Sequence, residues 1–355
     1  MKLHEDKYSF MALLNSVQSG TGIRQDILEK DYYVCLLLKE LSEKQEKFPA
    51  YFKGGTALYK AQKSIRRFSE DIDLTVAVDG CTNSQAKKRL EGVSKKYTSL
   101  PRTVRKELEE DRKGSITSVY DYVPNAIFDE NDPLQRFGFV KVEATSFTVS
   151  EPFTELEIEP VIYTFADKEQ QKILRENFEV RPFMIKTIRL ERIFADKIFA
   201  AEFYYEREML FDVAKHLYDT SVMFSLPEIK NLVEDKELFQ RMLGYKRLEE
   251  ERRTGSDLSD KEFKDFTIFD GMKGNANLEK AFTEMQEIYV FNEIDKLDFE
   301  FVVRQWSKIE KVLPVNSAAY AMNRFQTEME GAASEVGINS EEDVVDLISQ
   351  MRNEE

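Results

Sequence analysis

The sequence is poor in the two side chains that most often bind zinc or act as nucleophiles. Among 355 residues there are two cysteines, Cys35 and Cys81, and two histidines, His4 and His216. This scarcity argues against a zinc site with four Cys or His ligands within one chain. Cys35 lies in an apolar segment, which favours a buried structural thiol over a reactive one. Catalysis must therefore rest on carboxylates, lysines or hydroxyls, and carboxylates without histidine favour hard cations such as Mg²⁺.

Long apolar runs are missing as well. The longest, residues 32–38, is far shorter than the roughly 20 residues that span a bilayer, and the first residues have no apolar signal core. A composition of 42% hydrophobic and 12% aromatic residues is that of a globular protein with a substantial core. We therefore expect a cytoplasmic protein with no membrane partner, and the length suggests two domains.

Positive charge is in deficit, but unevenly so. The chain has 51 Lys and Arg against 66 Asp and Glu, a net charge of −15. Residues 328–355 hold nine acids and one base, whereas residues 87–113 hold ten bases and five acids. The basic segment is either a solvated helical face or a phosphate-binding patch for RNA, with Tyr97 and Tyr120 as candidates for base stacking. The acidic tail is a solubilising surface, a mimic of nucleic acid or a contact for a basic partner. Net charge therefore does not exclude RNA.

The hydrophobic patterns predict an α+β fold. Helical spacing covers residues 24–45, strands are predicted at 51–53, 71–78, 139–143 and 156–159, and the chain reads as helical from about residue 187. Gly54 and Gly55 form a tight turn, and Thr56 is a candidate N-cap for a short helix at 57–62. The change from strand to helix patterning predicts a first domain with a small mixed sheet at residues 1–180, and a helical domain at 181–355.

The most informative feature is a pair of acids that follows this turn. Asp71 and Asp73 are two positions apart on a predicted strand, so their side chains share one face while Ile72 and Leu74 take the other. Two neighbouring carboxylates repel each other unless a cation lies between them. A bound divalent metal relieves that repulsion and is the usual centre for nucleotidyl transfer. The glycine turn offers backbone N–H groups to phosphate. Each half alone is more often an ordinary surface strand or turn.

Together the two halves resemble the nucleotidyltransferase fold of the DNA polymerase β superfamily, in which a glycine turn and a short helix precede Asp-x-Asp. The segments Lys53-Gly54-Gly55-Thr56-Ala57-Leu58 and Arg67-Phe68-Ser69-Glu70-Asp71-Ile72-Asp73-Leu74 more closely resemble the AbiEii/AbiGii toxin family, which includes the MenT toxins. That family supplies the toxins of type IV toxin–antitoxin (abortive infection) systems. The similarity extends to residues 28–32, 192–200 and 215–219, and covers about residues 25–225.

The resemblance implies a role for individual residues. The family's metal-binding and catalytic aspartates fall on Asp71 and Asp73, its helix lysine on Lys197 and its last acid on Asp219. The hydroxyl two residues ahead of the first aspartate, which the antitoxin phosphorylates in some members, falls on Ser69. Independently, Lys197 lies on an apolar helical stripe, where an amine needs a phosphate or a carboxylate as partner. A structural salt bridge with Asp219 is the alternative.

Further candidates come from the superfamily pattern. A third metal-binding carboxylate is expected on a neighbouring strand; Glu143 is preferred, with Glu157 and Glu159 as competitors. Arg67 and Lys53 are candidates either to hold phosphate or to organise the turn. The predicted nucleotide-binding set is Lys53, Gly54, Gly55, Thr56, Arg67, Ser69 and Lys197. His216 is expected to be a packed histidine.

The resulting hypothesis is a nucleotidyltransferase that uses Mg²⁺ or Mn²⁺ and a nucleoside triphosphate (NTP). The resemblance implies that the acceptor is the 3′ end of tRNA and that an antitoxin protein is the partner. Two alternatives remain open from the sequence: a transferase acting on a protein or small-molecule hydroxyl, and a nucleotide-binding module without turnover.

Overall fold

The computed structural model describes residues 1–127, 137–253 and 258–314, so the acidic tail at 328–355 lies outside the described residues. Within them one sheet has the order β3-β4-β5-β2-β1-β7-β6. Its strands are β1 (Ala50–Lys53), β2 (Ile72–Val76), β3 (Glu110–Arg112), β4 (Ser115–Asp121), β5 (Phe139–Thr145), β6 (Phe153–Ile158) and β7 (Phe183–Ile188). The pairs β2–β5 and β1–β7 are parallel, and the other neighbours are antiparallel. The mixed sheet and the helices that follow it confirm the α+β class.

Helices flank the sheet, and the described chain after β7 forms helices without further strands. They are α1 (Lys7–Thr21), α2 (Gln25–Lys44), α3 (Gly54–Lys60), α4 (Asn83–Ser94), α5 (Val161–Thr164), α6 (Lys168–Asn177), α7 (Leu190–Tyr205), α8 (Leu210–Met223), α9 (Pro227–Glu234), α10 (Lys236–Arg252), α11 (Ile268–Gly271), α12 (Ala276–Tyr289) and α13 (Phe299–Val312). Helices α7 and α8 pack together at the centre of the helical half. Helices α9 and α10 pack against α7, and α12 and α13 against α8. None of the helices in the described ranges is long and apolar enough to cross a membrane.

The alternation in β2 gives the strand one apolar and one acidic face. Ile72 and Leu74 are fully buried in the core, whereas Asp71 and Asp73 are only partly buried. Because successive side chains of a strand point to opposite faces, burying the isoleucine and leucine turns both carboxylates to the other side.

A buried ion pair fixes the short helix α3 that follows β1. Lys60 near its end donates to the Asp31 carboxylate on α2 over 2.7 Å, and both side chains are almost completely buried. The other oxygen of Asp31 accepts the backbone N–H of Val161, 2.6 Å away. Removing either charge would leave the other unpaired in the core, so the pair holds the glycine turn against the rest of the domain.

Three local predictions need correction. Helix α3 begins at Gly54 with Lys53 as its N-cap residue, so Thr56 lies inside the helix and does not cap it. Strands β3 and β4 were not predicted. Strand β7 lies beyond residue 180 and pairs with both β1 and β6, so the sheet extends past the expected change to helices. The two-domain division itself stays a prediction.

Candidate active site

The first glycine of the turn is in contact with the second aspartate of the strand. Gly54 has a φ of +79°, and a Cβ built on it would lie 2.1 Å from Oδ2 of Asp73. Any other residue would therefore meet both a disfavoured backbone conformation and a steric clash with the carboxylate. The register explains the contact, because Lys53 on β1 is the antiparallel partner of Asp73 on β2.

The second glycine is equally confined, but by different neighbours. A Cβ on Gly55 would lie 2.8 Å from Oγ of Ser69 and 2.9 Å from Nη2 of Arg67. The Thr56 hydroxyl donates to Ser69 Oγ over 3.0 Å. The backbone of the glycine turn thus packs against side chains of the loop before β2. This contact brings residues 53–58 and 67–74 into one site.

A third carboxylate lies directly beside Asp73. Glu143 on β5 is the parallel neighbour of Asp73 in the sheet register. Burial, and next the charges of Glu143 and Asp71, raise the pKa of Asp73 to about 7. Glu157 lies on β6 and Glu159 just after it, at the far end of the sheet from β2, where they have no contact with this cluster. Of the three candidates the structure therefore brings Glu143 to the aspartates.

The remaining aspartate is paired with a lysine that the sequence did not single out. Nζ of Lys141, two residues before Glu143 on β5, lies 2.9 Å from Oδ2 of Asp71. Burial alone would lower the pKa of Lys141, but the charge and hydrogen bond of Asp71 together with the charges of Asp73 and Glu143 outweigh it and raise that pKa. In the described part of the chain no three Asp, Glu, His or Cys side chains converge closely enough to hold a metal ion. The donor set is nevertheless all carboxylate oxygen, which fits a hard cation.

Lys53, the last residue of β1, also borders the acidic cluster. Its Nζ donates to the Thr148 hydroxyl over 2.9 Å, and its charge lowers the pKa of Asp73 against the effects named above. Lys53 is partly exposed. It is therefore placed as a cation at the edge of the acidic cluster.

Asp219 forms the centre of a second charged group. Arg67 donates to both of its oxygens over 2.6 Å each, and Nζ of Lys197 lies 2.9 Å from one of them. Burial would raise the pKa of Asp219, but Arg67 and Lys197 together lower it to about 2. Asp219 is fully buried and Arg67 is 4% exposed. Arg67 therefore organises the structure around Asp219, and its guanidinium is not presented to a ligand.

Several other candidates are buried rather than exposed. Thr56 is fully buried, which leaves its hydroxyl to Ser69 and not to a nucleotide. Tyr97 and Tyr120 pack edge to face in the core, so neither is available to stack on a base. His216 stacks on Tyr204, and burial followed by the charge of Lys197 lowers its pKa, as befits a packed neutral histidine. Cys35 is buried, which raises the pKa of its thiol to about 12 and keeps it unreactive.

Half of the cations in the basic segment form ion pairs with acids of the described residues. Five of its ten cations form ion pairs within 4.0 Å: Lys87, Lys95, Arg102, Arg105 and Arg112. Four of these five use an acid of the same segment, and Arg105 uses Asp121. Because the count of ten bases and five acids already includes the acids of the segment, these pairs leave most of the positive excess in place, and only the contact of Arg105 with Asp121 reduces it.

Comparisons with known proteins identify the family of the chain. The family model described as nucleotidyl transferase AbiEii toxin, type IV TA system, matches residues 36–303. Among solved structures, MenT4, a nucleotidyltransferase toxin of Mycobacterium tuberculosis H37Rv, is similar at 14% identity, with a TM-score of 0.40, 85% of this chain covered and 98% of that chain. A search of curated protein sequences found no match. Because the family model spans well over half of the chain, the protein belongs to the AbiEii family of nucleotidyltransferase toxins of type IV toxin–antitoxin systems.

Proposed function

We propose that this nucleotidyltransferase transfers a nucleoside monophosphate from an NTP to an RNA hydroxyl in the cytoplasm, the tRNA 3′ end being the intended acceptor. The observation that carries the proposal is the cluster of Asp71, Asp73 and Glu143 on two adjacent strands, with Gly54 in contact with it. Burial, and next the charges of Glu143 and Asp71, raise the pKa of Asp73, and a strongly shifted carboxyl in a charged cluster supports a functional role. A cognate antitoxin is the expected protein partner.

Asp71, Asp73 and Glu143 would hold Mg²⁺ or Mn²⁺. When bound, a divalent cation supplies neutralisation of phosphate charge and acidifies a hydroxyl. The acceptor oxygen attacks the α-phosphorus, the bond from that phosphorus to the bridging oxygen breaks, and pyrophosphate leaves. One carboxylate of the cluster takes the hydroxyl proton.

The nucleotide would be held by groups that remain free to reach it. These are the backbone of Gly54 and Gly55, the ammonium of Lys53 and the hydroxyl of Ser69. Lys197 is 6% exposed, nearly as buried as Arg67, and its Nζ pairs with Asp219, so its proposed contact with phosphate rests on the family resemblance. The family resemblance assigns catalytic roles to Lys197 and Asp219. In this arrangement Asp219 acts by positioning Lys197.

The test is to incubate the purified protein with each α-labelled NTP, Mg²⁺ and bulk tRNA. We expect label on RNA, and a loss of at least about 100-fold in Asp73→Asn and Glu143→Gln. Glu157→Gln is the matched control, because Glu157 is an exposed strand glutamate away from the cluster and its loss should leave transfer unchanged. Label on the protein or on a small molecule would mean that the acceptor is not RNA. Binding of NTP without any labelled product would contradict nucleotidyl transfer altogether.

A cellular version uses growth inhibition as readout. Expression of the protein is expected to stop growth, and Asp71→Ala is expected to abolish this effect. An Asp71→Ala variant that is equally toxic would argue against chemistry at the acidic cluster.

A further inference from the structure

Lys141 forms an ion pair with Asp71, one of the proposed metal ligands. It lies on the same face of β5 as Glu143, two residues before it, and β5 runs parallel to β2 with Glu143 opposite Asp73. This register puts the lysine alongside the first aspartate and the glutamate alongside the second. The resulting contact is a direct ion pair of 2.9 Å.

The pair changes the charge of the site. Three carboxylates with Lys53 and Lys141 nearby carry a net charge of about −1, whereas without Lys141 the charge would be about −2. Within the described residues no three acidic side chains converge closely enough to hold a metal ion, and Oδ2 of Asp71 contacts Nζ of Lys141. A metal that binds Asp71 through Oδ2 would have to displace the ammonium of Lys141.

Displacement is physically accessible. The side chains of Lys141 and Asp71 are 32% and 40% exposed, so water can solvate the ammonium once it leaves the carboxylate. A half-exposed ion pair is worth little on its own. Its effect is therefore to lower metal affinity without locking the site.

We propose that Lys141 is a positioning residue that holds Asp71 in the metal-free protein and releases it when metal and nucleotide arrive together. The triphosphate then accepts the freed ammonium, so that the protein alone binds divalent metal weakly and the metal–nucleotide complex binds well. This inference rests on the proposed function, because it requires the metal to bind at Asp71, Asp73 and Glu143.

The test measures Mn²⁺ binding to the full chain by electron paramagnetic resonance, without nucleotide. Lys141→Met and Lys141→Gln are each expected to bind Mn²⁺ about tenfold more tightly than the natural protein. Lys141→Arg, which keeps the charge, should restore the weak binding. With a non-hydrolysable NTP present, the advantage of the two neutral variants should disappear, because the lost ammonium no longer meets the triphosphate.

Two controls separate the possible failures. Lys95→Met removes another lysine that pairs with an aspartate, Asp111 at 2.5 Å, but at a surface pair outside the acidic cluster, and should leave Mn²⁺ affinity unchanged. Asp73→Asn should abolish Mn²⁺ binding; if it does not, the proposed metal site itself is wrong. If Asp73→Asn abolishes binding while both neutral Lys141 variants bind Mn²⁺ no more tightly than the natural protein, the inference about Lys141 alone is overturned.

Discussion

A methyl group at position 54 would collide with the Asp73 carboxylate. The added Cβ would lie 2.1 Å from Asp73 Oδ2, so Gly54→Ala must push the carboxylate out of place. We expect nucleotidyl transfer to fall by about 100-fold or more, since displacing a catalytic group by 1 Å has effects of that size. The measurement is label transfer to RNA under saturating NTP.

Gly22→Ala is the control for the backbone alone. Gly22 also has a positive φ, +75°, but nothing lies within 4 Å of its added Cβ. Both substitutions should therefore cost about 1 kcal/mol of stability through the backbone. Equal loss of transfer in the two variants would show that strain, and not the contact with Asp73, is responsible.

The raised pKa of Asp73 implies that this residue destabilises the metal-free fold. A carboxyl with a folded-state pKa of about 7 costs no stability below its usual pKa of about 4. The folded state loses stability as the pH rises from about 4 to about 7, and the loss is complete above that. Asp73→Asn removes the charge. We therefore expect the free energy of unfolding of the variant to exceed that of the natural protein by about 1–3 kcal/mol at pH 8 and to equal it at pH 4. Urea unfolding with a metal chelator present measures this.

The exposed Asp79 provides the comparison. Asp79 lies on the surface. Asp79→Asn should therefore leave the difference in the free energy of unfolding between pH 4 and pH 8 as it is in the natural protein. A destabilised Asp73→Asn at pH 8 would mean that the Asp73 charge is already compensated in the fold.

At the scale of elements, β7 illustrates how pairing partners decide a strand. Its buried residues are Ile185, Thr187 and Ile188, a pattern that alternates only in part. The strand exists because it inserts between β6, antiparallel, and β1, parallel. Strand β1 lies more than 120 residues before β7 in the sequence. The local pattern around residue 180 therefore carries little information about this pairing.

A proline in this strand tests its central position. Ile185→Pro removes a backbone donor and a buried side chain from an interior strand, and we expect it to lower the free energy of unfolding by at least about 3 kcal/mol. Glu110→Pro in the exposed edge strand β3 should cost less than about 1 kcal/mol. Chemical denaturation of both variants gives the comparison, and equal losses would contradict the interior placement of β7.

At the scale of the whole molecule, the group around Asp219 joins the sheet half to the helical half. Arg67 precedes β2, Lys197 lies on α7 and Asp219 on α8. The same loop donates the backbone N–H of Phe68 to the carbonyl of Tyr289 at the end of α12, over 2.7 Å. The loop between the glycine turn and the aspartates is therefore held from the helical side, so the site depends on both halves.

Asp219→Asn should therefore destabilise the protein severely, because two buried cations lose their shared anion. We expect a loss of about 3–5 kcal/mol at pH 7 in urea unfolding. The pKa of Asp219 is lowered to about 2, so its stabilisation is complete above the usual pKa of about 4 and declines as the pH falls toward 2. The difference in the free energy of unfolding between the natural protein and Asp219→Asn should therefore shrink as the pH falls from 5 to 2.

Asp270→Asn provides the surface comparison. Asp270 is 92% exposed and pairs with Lys273 over 2.7 Å, so its neutralisation should cost less than about 1 kcal/mol. A similarly small effect at Asp219 would mean that Arg67 and Lys197 find other partners and that the two halves are not joined through this group.

The sequence by itself determined what lies within a few residues of chain. The spacing of Asp71 and Asp73 put both carboxylates on one strand face, and together with the glycine turn ahead of them it predicted nucleotidyl transfer. The tertiary structure alone decided what crosses between elements: the parallel register selected Glu143, set Lys141 against Asp71, and buried Arg67 on Asp219. The physical reason is that alternation along one strand is a local property, whereas the neighbour of a charge across a sheet or between helices depends on register and packing.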